Sequence, residues 1–202
     1  MKLYYLPGAC SLSPHIALRE AGLAFDLEKV DRKTGTTASG ETYSKVNPPG
    51  YVPALRLDDG EILTEGPVIV QYVADRAPDK KLAPPAGTME RYRLQSWLNF
   101  VATEIHRNFT PLFNPAMSDE TKAIFKERIL QRLGHVDARL AGRAFLTGDQ
   151  FTVADIYLFV TMTWTKPTKV DLSPFPNILA FMKRVGERPA VQAALKAEGL
   201  VG

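Results

Sequence analysis

The feature that most limits what this chain can fold into is a change of pattern partway along it. The first 76 residues alternate short strand-like and helix-like segments, whereas everything after about residue 88 reads as helix and connecting loop. Between them, Ala77-Pro78-Asp79-Lys80-Lys81-Leu82-Ala83-Pro84-Pro85-Ala86-Gly87 carries the prolines and glycine of a short, stiff linker. The expected organisation is an α/β domain over residues 1–77, a linker over 78–88 and an all-helical domain over 89–202.

The order expected in the first domain is βαβ followed by ββα. Lys2 to Leu6 is a short run rich in Tyr and Leu, closed by Pro7-Gly8, and a helical pattern begins near Ser13-Pro14. Phe25 to Val30 reads as a second strand. Residues 31–50 are polar and rich in Gly, Thr and Pro, which leaves room for helix only around Glu41 to Val46. Ala54 to Leu57 and Glu61 to Thr64 flank Asp58-Asp59-Gly60, and Asp-Gly suits the positive backbone angles of a tight hairpin. From Pro67, which needs no donor in a first helical turn, Val68, Ile69, Tyr72 and Val73 share one face.

In the second domain, Leu94, Trp97, Leu98, Val101, Ile105 and Phe109 recur at helical spacing, predicting one long amphipathic helix over residues 89–110. Another is expected over Asp119 to Leu140. Thr152 stands three residues before Asp155, the spacing of a reciprocal helix cap, with helix continuing through Ile156 to Thr163. Further helices are expected over Pro176 to Glu187 and Pro189 to Ala197.

Composition removes several classes. Apolar stretches such as Ile156 to Val160 are too short to span a bilayer, and residues 1–16 lack a basic region followed by a long apolar run, so a cytoplasmic address is expected and no membrane partner. A formal net charge of +3 comes from cations interleaved with acids, as in Arg19-Glu20 and Lys126-Glu127-Arg128, which argues against nucleic acid. With three histidines, one cysteine and no C-x-x-C or H-E-x-x-H spacing, no metal site is expected. One cysteine cannot close an internal disulfide, so Cys10 is either core filler or reactive.

Position favours the second reading of Cys10. It lies between a strand and a helix, where free amides and the helix dipole favour an anion, and the expectation is a thiol that titrates below the ordinary value. Tyr51-Val52-Pro53 precedes the third strand. There Pro53 is either an ordinary strand-opening proline or a cis proline that exposes Val52's backbone to an extended peptide. Glu65-Gly66 opens a helix and is either a simple acidic cap or a receiver for a ligand's ammonium and carboxylate groups. Asn99, Thr103, His106 and Thr110 form a polar stripe beside the apolar one. Taken alone, His106 reads first as a packed or solvated side chain, and so do His15 and His135.

Together these residues resemble the glutathione transferases, and most closely their bacterial beta class. Leu6-Pro7-Gly8-Ala9-Cys10-Ser11 is similar to that class's active-site turn. The likeness continues through Ser13-Pro14-His15-Ile16-Ala17-Leu18-Arg19-Glu20, Asn47-Pro48-Pro49-Gly50-Tyr51-Val52-Pro53-Ala54-Leu55, Thr64-Glu65-Gly66-Pro67 and Gly148-Asp149-Gln150-Phe151-Thr152-Val153-Ala154-Asp155. It implies a thioredoxin-like N-terminal domain, an all-α C-terminal domain carrying part of the electrophile site and the dimer interface, and a homodimer with glutathione bound between the domains.

The resemblance also assigns residues. It puts Cys10 beside the glutathione sulfur, Tyr51 and Val52 ahead of a cis Pro53 along the peptide backbone, and Glu65 with Gly66 at the γ-glutamyl end. It brings Asn99, Thr103, Glu104 and His106 toward the ligand, some from the partner subunit, and makes Phe109, Phe113 and Trp164 the electrophile pocket. Thr152 with Asp155 becomes the family's folding cap. Two positions depart from the pattern. Gly66 stands where relatives often carry serine, and Gly35 where many carry a lysine near the glycyl end, with Lys33 or Arg32 as its replacement.

The implied activity is transfer of glutathione, as co-substrate, to small electrophiles of aromatic or halogenated type, a detoxifying reaction in which Cys10 and His106 are the catalytic pair. Reduction of glutathione mixed disulfides is a second expected reaction, and the likeness to transferases of aromatic degradation adds reductive dehalogenation. Two rivals stand beside it: a non-catalytic protein that binds glutathione or hydrophobic ligands, and an enzyme of mainly thiol-disulfide chemistry built on Cys10.

Overall fold

A computed structural model describes residues 1–201. By its contacts the chain forms two compact units, one of Met1–Ala83 joined by the C-terminal segment from Arg188, the other of Pro84–Glu187.

The first unit contains β1 (Lys2–Tyr5), α1 (Leu12–Ala21), β2 (Asp26–Asp31), β3 (Thr36–Thr37), β4 (Ala54–Arg56), β5 (Ile62–Thr64) and α2 (Gly66–Arg76). Its sheet runs β3-β2-β1-β4-β5, with β1 parallel to β2 and antiparallel to β4. This is the βαβ then ββα order of a thioredoxin-like domain. The Asp-Gly turn closes the β4–β5 hairpin as expected, with Gly60 at φ +92. Leu3, Leu12, Ile16, Leu18, Ile69, Val70 and Val73 are fully buried against one another's elements, at about 1.5–3 kcal/mol for each large apolar side chain.

Residues 31–50 depart from expectation. The helix allowed around Glu41 to Val46 shrinks to a single 3₁₀ turn at Tyr43–Lys45. So short a segment gains too few hydrogen bonds to repay helix nucleation, and Tyr43 and Val46 are drawn instead into a cluster with Tyr4, Val30 and Ala54. Strand β3, only Thr36–Thr37, is too short to show alternation in sequence.

The second unit contains α3 (Met89–Phe100), α4 (Arg107–Phe109), α5 (Asp119–Leu140), α6 (Val153–Thr163), α7 (Thr165–Thr168) and α8 (Pro176–Gly186). The single helix expected over 89–110 is interrupted: Val101–His106 is π-helical, and Thr110–Phe113 tightens to 3₁₀. Helix α6 is the core, with every residue from Val153 to Met162 buried, as befits a helix apolar on all sides.

Helix α9 (Pro189–Ala197) returns to the first unit, a difference from the 89–202 helical domain drawn from sequence. The reason is a set of polar ties to α1 and the turn before it. Arg188 makes a two-pronged ion pair with Glu20 at 2.6 and 2.8 Å. Fully buried Glu198 accepts from the Gly8 amide at 2.9 Å and meets His15 Nδ1 at 2.8 Å, while Arg19 Nε donates to His15 Nε2 at 2.8 Å. His15 is thus a structural bridge.

Candidate active site

The turn carrying Cys10 is tightly constructed. Ser11 closes it by accepting from the Leu6 amide and donating to the Leu6 carbonyl, both at 3.1 Å, and Ser13 Oγ donates to the Cys10 carbonyl at 2.8 Å. Gly8 sits at φ +70, where a side chain would be strained. Cys10 itself is partly buried, its thiol donating to the Val52 carbonyl at 3.3 Å. Burial pushes this thiol up to about 11, against the pull of the Cys10 and Ser11 backbone amides. The sequence-based expectation of a depressed value is therefore corrected: two amides at the helix start do not offset the loss of solvent around the sulfur.

The Val52-Pro53 peptide is cis. Tyr51 is 76% exposed, and its carbonyl is fixed by Tyr43 Oη at 2.8 Å and Asn47 Nδ2 at 2.6 Å. These two bonds aim the backbone just ahead of Val52. Glu65 precedes α2 with an exposed side chain and a positive φ of 67, a conformation that costs a non-glycine residue of order 1–3 kcal/mol. Behind it, a Cβ on Gly66 would meet Pro53 Cγ at 3.8 Å and Ser13 Oγ at 3.9 Å, ordinary contacts that leave room for the serine of the family pattern. Gly35 has φ +69, so the turn after β2 disfavours a lysine there. Lys33 and Arg32 instead line a cavity of about 650 Å³ with Lys29 and Leu6.

In the second unit the polar stripe is broken up. Asn99 and Thr103 are exposed, and the Thr103 hydroxyl donates to its own Asn99 carbonyl at 3.1 Å. The π-helical turn holds more residues than an α turn, so the step from Thr103 to His106 falls further short of one face. Glu104 is ion-paired to Arg132 Nε at 2.7 Å, and its carbonyl accepts from Asn108 Nδ2 at 2.6 Å. His106 closes the π segment with Nδ1 2.6 Å from Tyr157 Oη. Burial, with the Arg107 cation adding to it, pushes His106 down to about 4, so the ring is neutral at physiological pH.

Around Trp164 the structure gathers the aromatic residues singled out from sequence. Its ring lies 4.8 Å from His106, 5.7 Å from Phe109 and 6.1 Å from Phe113, all edge-on. Phe113 is 50% exposed, Trp164 only 7% and Phe109 not at all, so Phe109 braces the cluster while Phe113 reaches solvent. At the far end of α6, Asp155 accepts from the Thr152 amide and hydroxyl and from the Leu146 amide, each at 2.8 Å.

Tyr157 and Arg132, the partners of His106 and Glu104, escaped sequence reasoning. A signal for Tyr157 was present: it stands two helical turns before Trp164, on the same face.

Comparison with known proteins identifies the family. The model for the glutathione S-transferase N-terminal domain matches residues 8–76, and that for the C-terminal domain matches residues 100–189. The chain belongs to the glutathione S-transferase family and is a glutathione transferase. Within the family it is of the bacterial beta class. A structure described as a bacterial beta class glutathione S-transferase of Sphingomonas chungbukensis is 52% identical, with a TM-score of 0.97 and 100% of each chain covered. A ternary complex of BphK, a bacterial transferase, is 60% identical with a TM-score of 0.98, covering 99% of this chain and 100% of that one. The glutathione S-transferase GstA of Escherichia coli O157:H7 is 47% identical over 200 residues, 99% of this chain and 100% of its own.

Proposed function

We propose that the enzyme conjugates glutathione to small aromatic electrophiles, halogenated ones among them, with Cys10 and His106 as hydrogen-bond donors. The observation that carries the aromatic preference is the cluster of His106, Phe109 and Phe113 around Trp164, since edge-on aromatic walls favour a flat apolar guest. The raised Cys10 thiol favours conjugation over thiol-disulfide exchange, because a neutral thiol donates to a neighbouring thiolate but attacks a disulfide poorly. The attacking sulfur is then glutathione's own. Turnover of a chloronitroaromatic and of a glutathione mixed disulfide, measured side by side, tests this; faster turnover of the disulfide would refute it.

In this reading the tripeptide pairs with the Val52 backbone, its γ-glutamyl end meets Glu65 and the Gly66 amide, and Lys33 or Arg32 receives its glycyl carboxylate. Asn99, Thr103 and Glu104 also serve the ligand, some of them from the partner subunit, and Glu104 is oriented by its pair with Arg132. Glu65→Ala is expected to weaken glutathione about tenfold in titration calorimetry by removing a charged acceptor for the ammonium group. Alanine keeps a Cβ, so the strained backbone is not relieved at the same time. Unchanged affinity would remove Glu65 from the site.

The protein works as a cytoplasmic, detoxifying homodimer. Met89 and Tyr92, exposed large side chains on one stripe of α3, offer apolar surface for a second copy. Light scattering at micromolar concentration should give twice the chain mass, and a monomer would contradict it. Among the described residues no helix is long and apolar enough to cross a membrane.

A further inference from the structure

We propose that Tyr157 is a positioning residue that locks His106 in the tautomer bearing its proton on Nε2, making His106 a hydrogen-bond donor and not a base. This rests on the reading of His106 as part of the conjugating machinery, and it says which of the ring's two chemistries that machinery uses.

The argument starts from the 2.6 Å between His106 Nδ1 and Tyr157 Oη. A phenol O–H is far more acidic than a neutral imidazole N–H, and a bare imidazole nitrogen is far more basic than a phenol oxygen, so across this contact Tyr157 is the donor. A neutral imidazole has one N–H and one bare nitrogen. With burial keeping His106 neutral, a proton donated by Tyr157 makes Nδ1 the bare nitrogen and leaves Nε2 with the hydrogen.

Both ends of this bond are held still. Tyr157 is 3% exposed on α6, whose neighbours are all buried, so the phenol has little freedom to turn away. The His106 ring is seated against Trp164 at 4.8 Å and 65°, which fixes its plane. The π-helical turn at Val101–His106 ends on this histidine and sets where its ring begins. The remaining Nε2–H dipole suits an electron-rich partner, such as a thiolate or an anion forming on the electrophile.

The test is ¹⁵N magnetic resonance of histidine-labelled protein at neutral pH, where three histidines give few signals and His106→Ala assigns one set. Wild type should show an unprotonated Nδ1 and a protonated Nε2 for His106. Tyr157→Phe should turn this into a tautomer mixture and lower kcat for a chloronitroaromatic by about three- to tenfold, the worth of one hydrogen bond. KM for glutathione and the thermal midpoint should hold, which separates positioning from a folding defect. A protonated Nδ1 in wild type, or unchanged His106 signals in Tyr157→Phe, would overturn the proposal. Should Tyr157→Phe fail to fold, the wild-type spectrum alone decides. A wild type without conjugating activity would sink the proposed function, while the tautomer signals would still judge Tyr157.

Discussion

Conjugation is expected to fall by about a hundredfold in His106→Ala, the loss associated with deleting one fixed hydrogen-bond donor from a developing anion. The ring is neutral over the working range because burial holds its titration near about 4, so the loss should be the same at pH 6 and pH 8. Cys10→Ala is expected to behave differently. It should abolish whatever reduction of mixed disulfides the protein performs, which needs a protein sulfur, and retain part of the aromatic conjugation, in which glutathione supplies the sulfur. Steady-state assays of both reactions on both variants separate the roles. Wild-type kcat/KM in His106→Ala would reduce that residue to packing, and full retention of both reactions in Cys10→Ala would do the same for the cysteine.

Asp155→Ala should cost about 2–4 kcal/mol of folding stability, because it leaves the buried Thr152 and Leu146 amides without their acceptor. For a chain of this size that lowers the thermal midpoint by roughly 5–15 °C. The same residue makes stability depend on pH. Burial raises its carboxyl from 3.8 to about 6, outweighing the donors that surround it. Between those values the folded state binds a proton that the unfolded state has released, so this group's contribution is fully present below 3.8 and is lost as pH rises through about 6. Asp155→Asn, which cannot titrate, should lack that component when denaturation midpoints are compared across the window. An unchanged midpoint in Asp155→Ala would dismiss the cap as a stabilising element.

Much of this was legible in sequence, for identifiable reasons. The Asp58-Asp59-Gly60 hairpin and the cap at Thr152 are local signals, each complete within a few residues, and both formed as read. The β4 and β5 strands ended within a residue or so of expectation for the same reason. What failed was non-local. Nothing near Val101 announces a π-helical turn, because the apolar spacing that predicts α-helix tolerates one extra residue in a turn. The setting of Cys10 was misjudged because the helix start is visible in the sequence while the burial around the sulfur comes from elsewhere in the fold. Glu104 looked available until Arg132, on another helix, was seen to hold it.

The return of α9 to the first unit also bears on how the chain is made. Residues 84–187 are an insertion within the other unit, whose segment from Arg188 is made after the whole helical unit. A nascent chain can complete the helical unit while α1 still waits for Arg188 and Glu198 to reach Glu20 and His15. Until then the turn before Cys10 lacks the carboxylate that holds the Gly8 amide. Cys10 therefore takes its final setting only after Glu198 has been made, so that a shorter nascent chain carries the thiol without the finished turn around it.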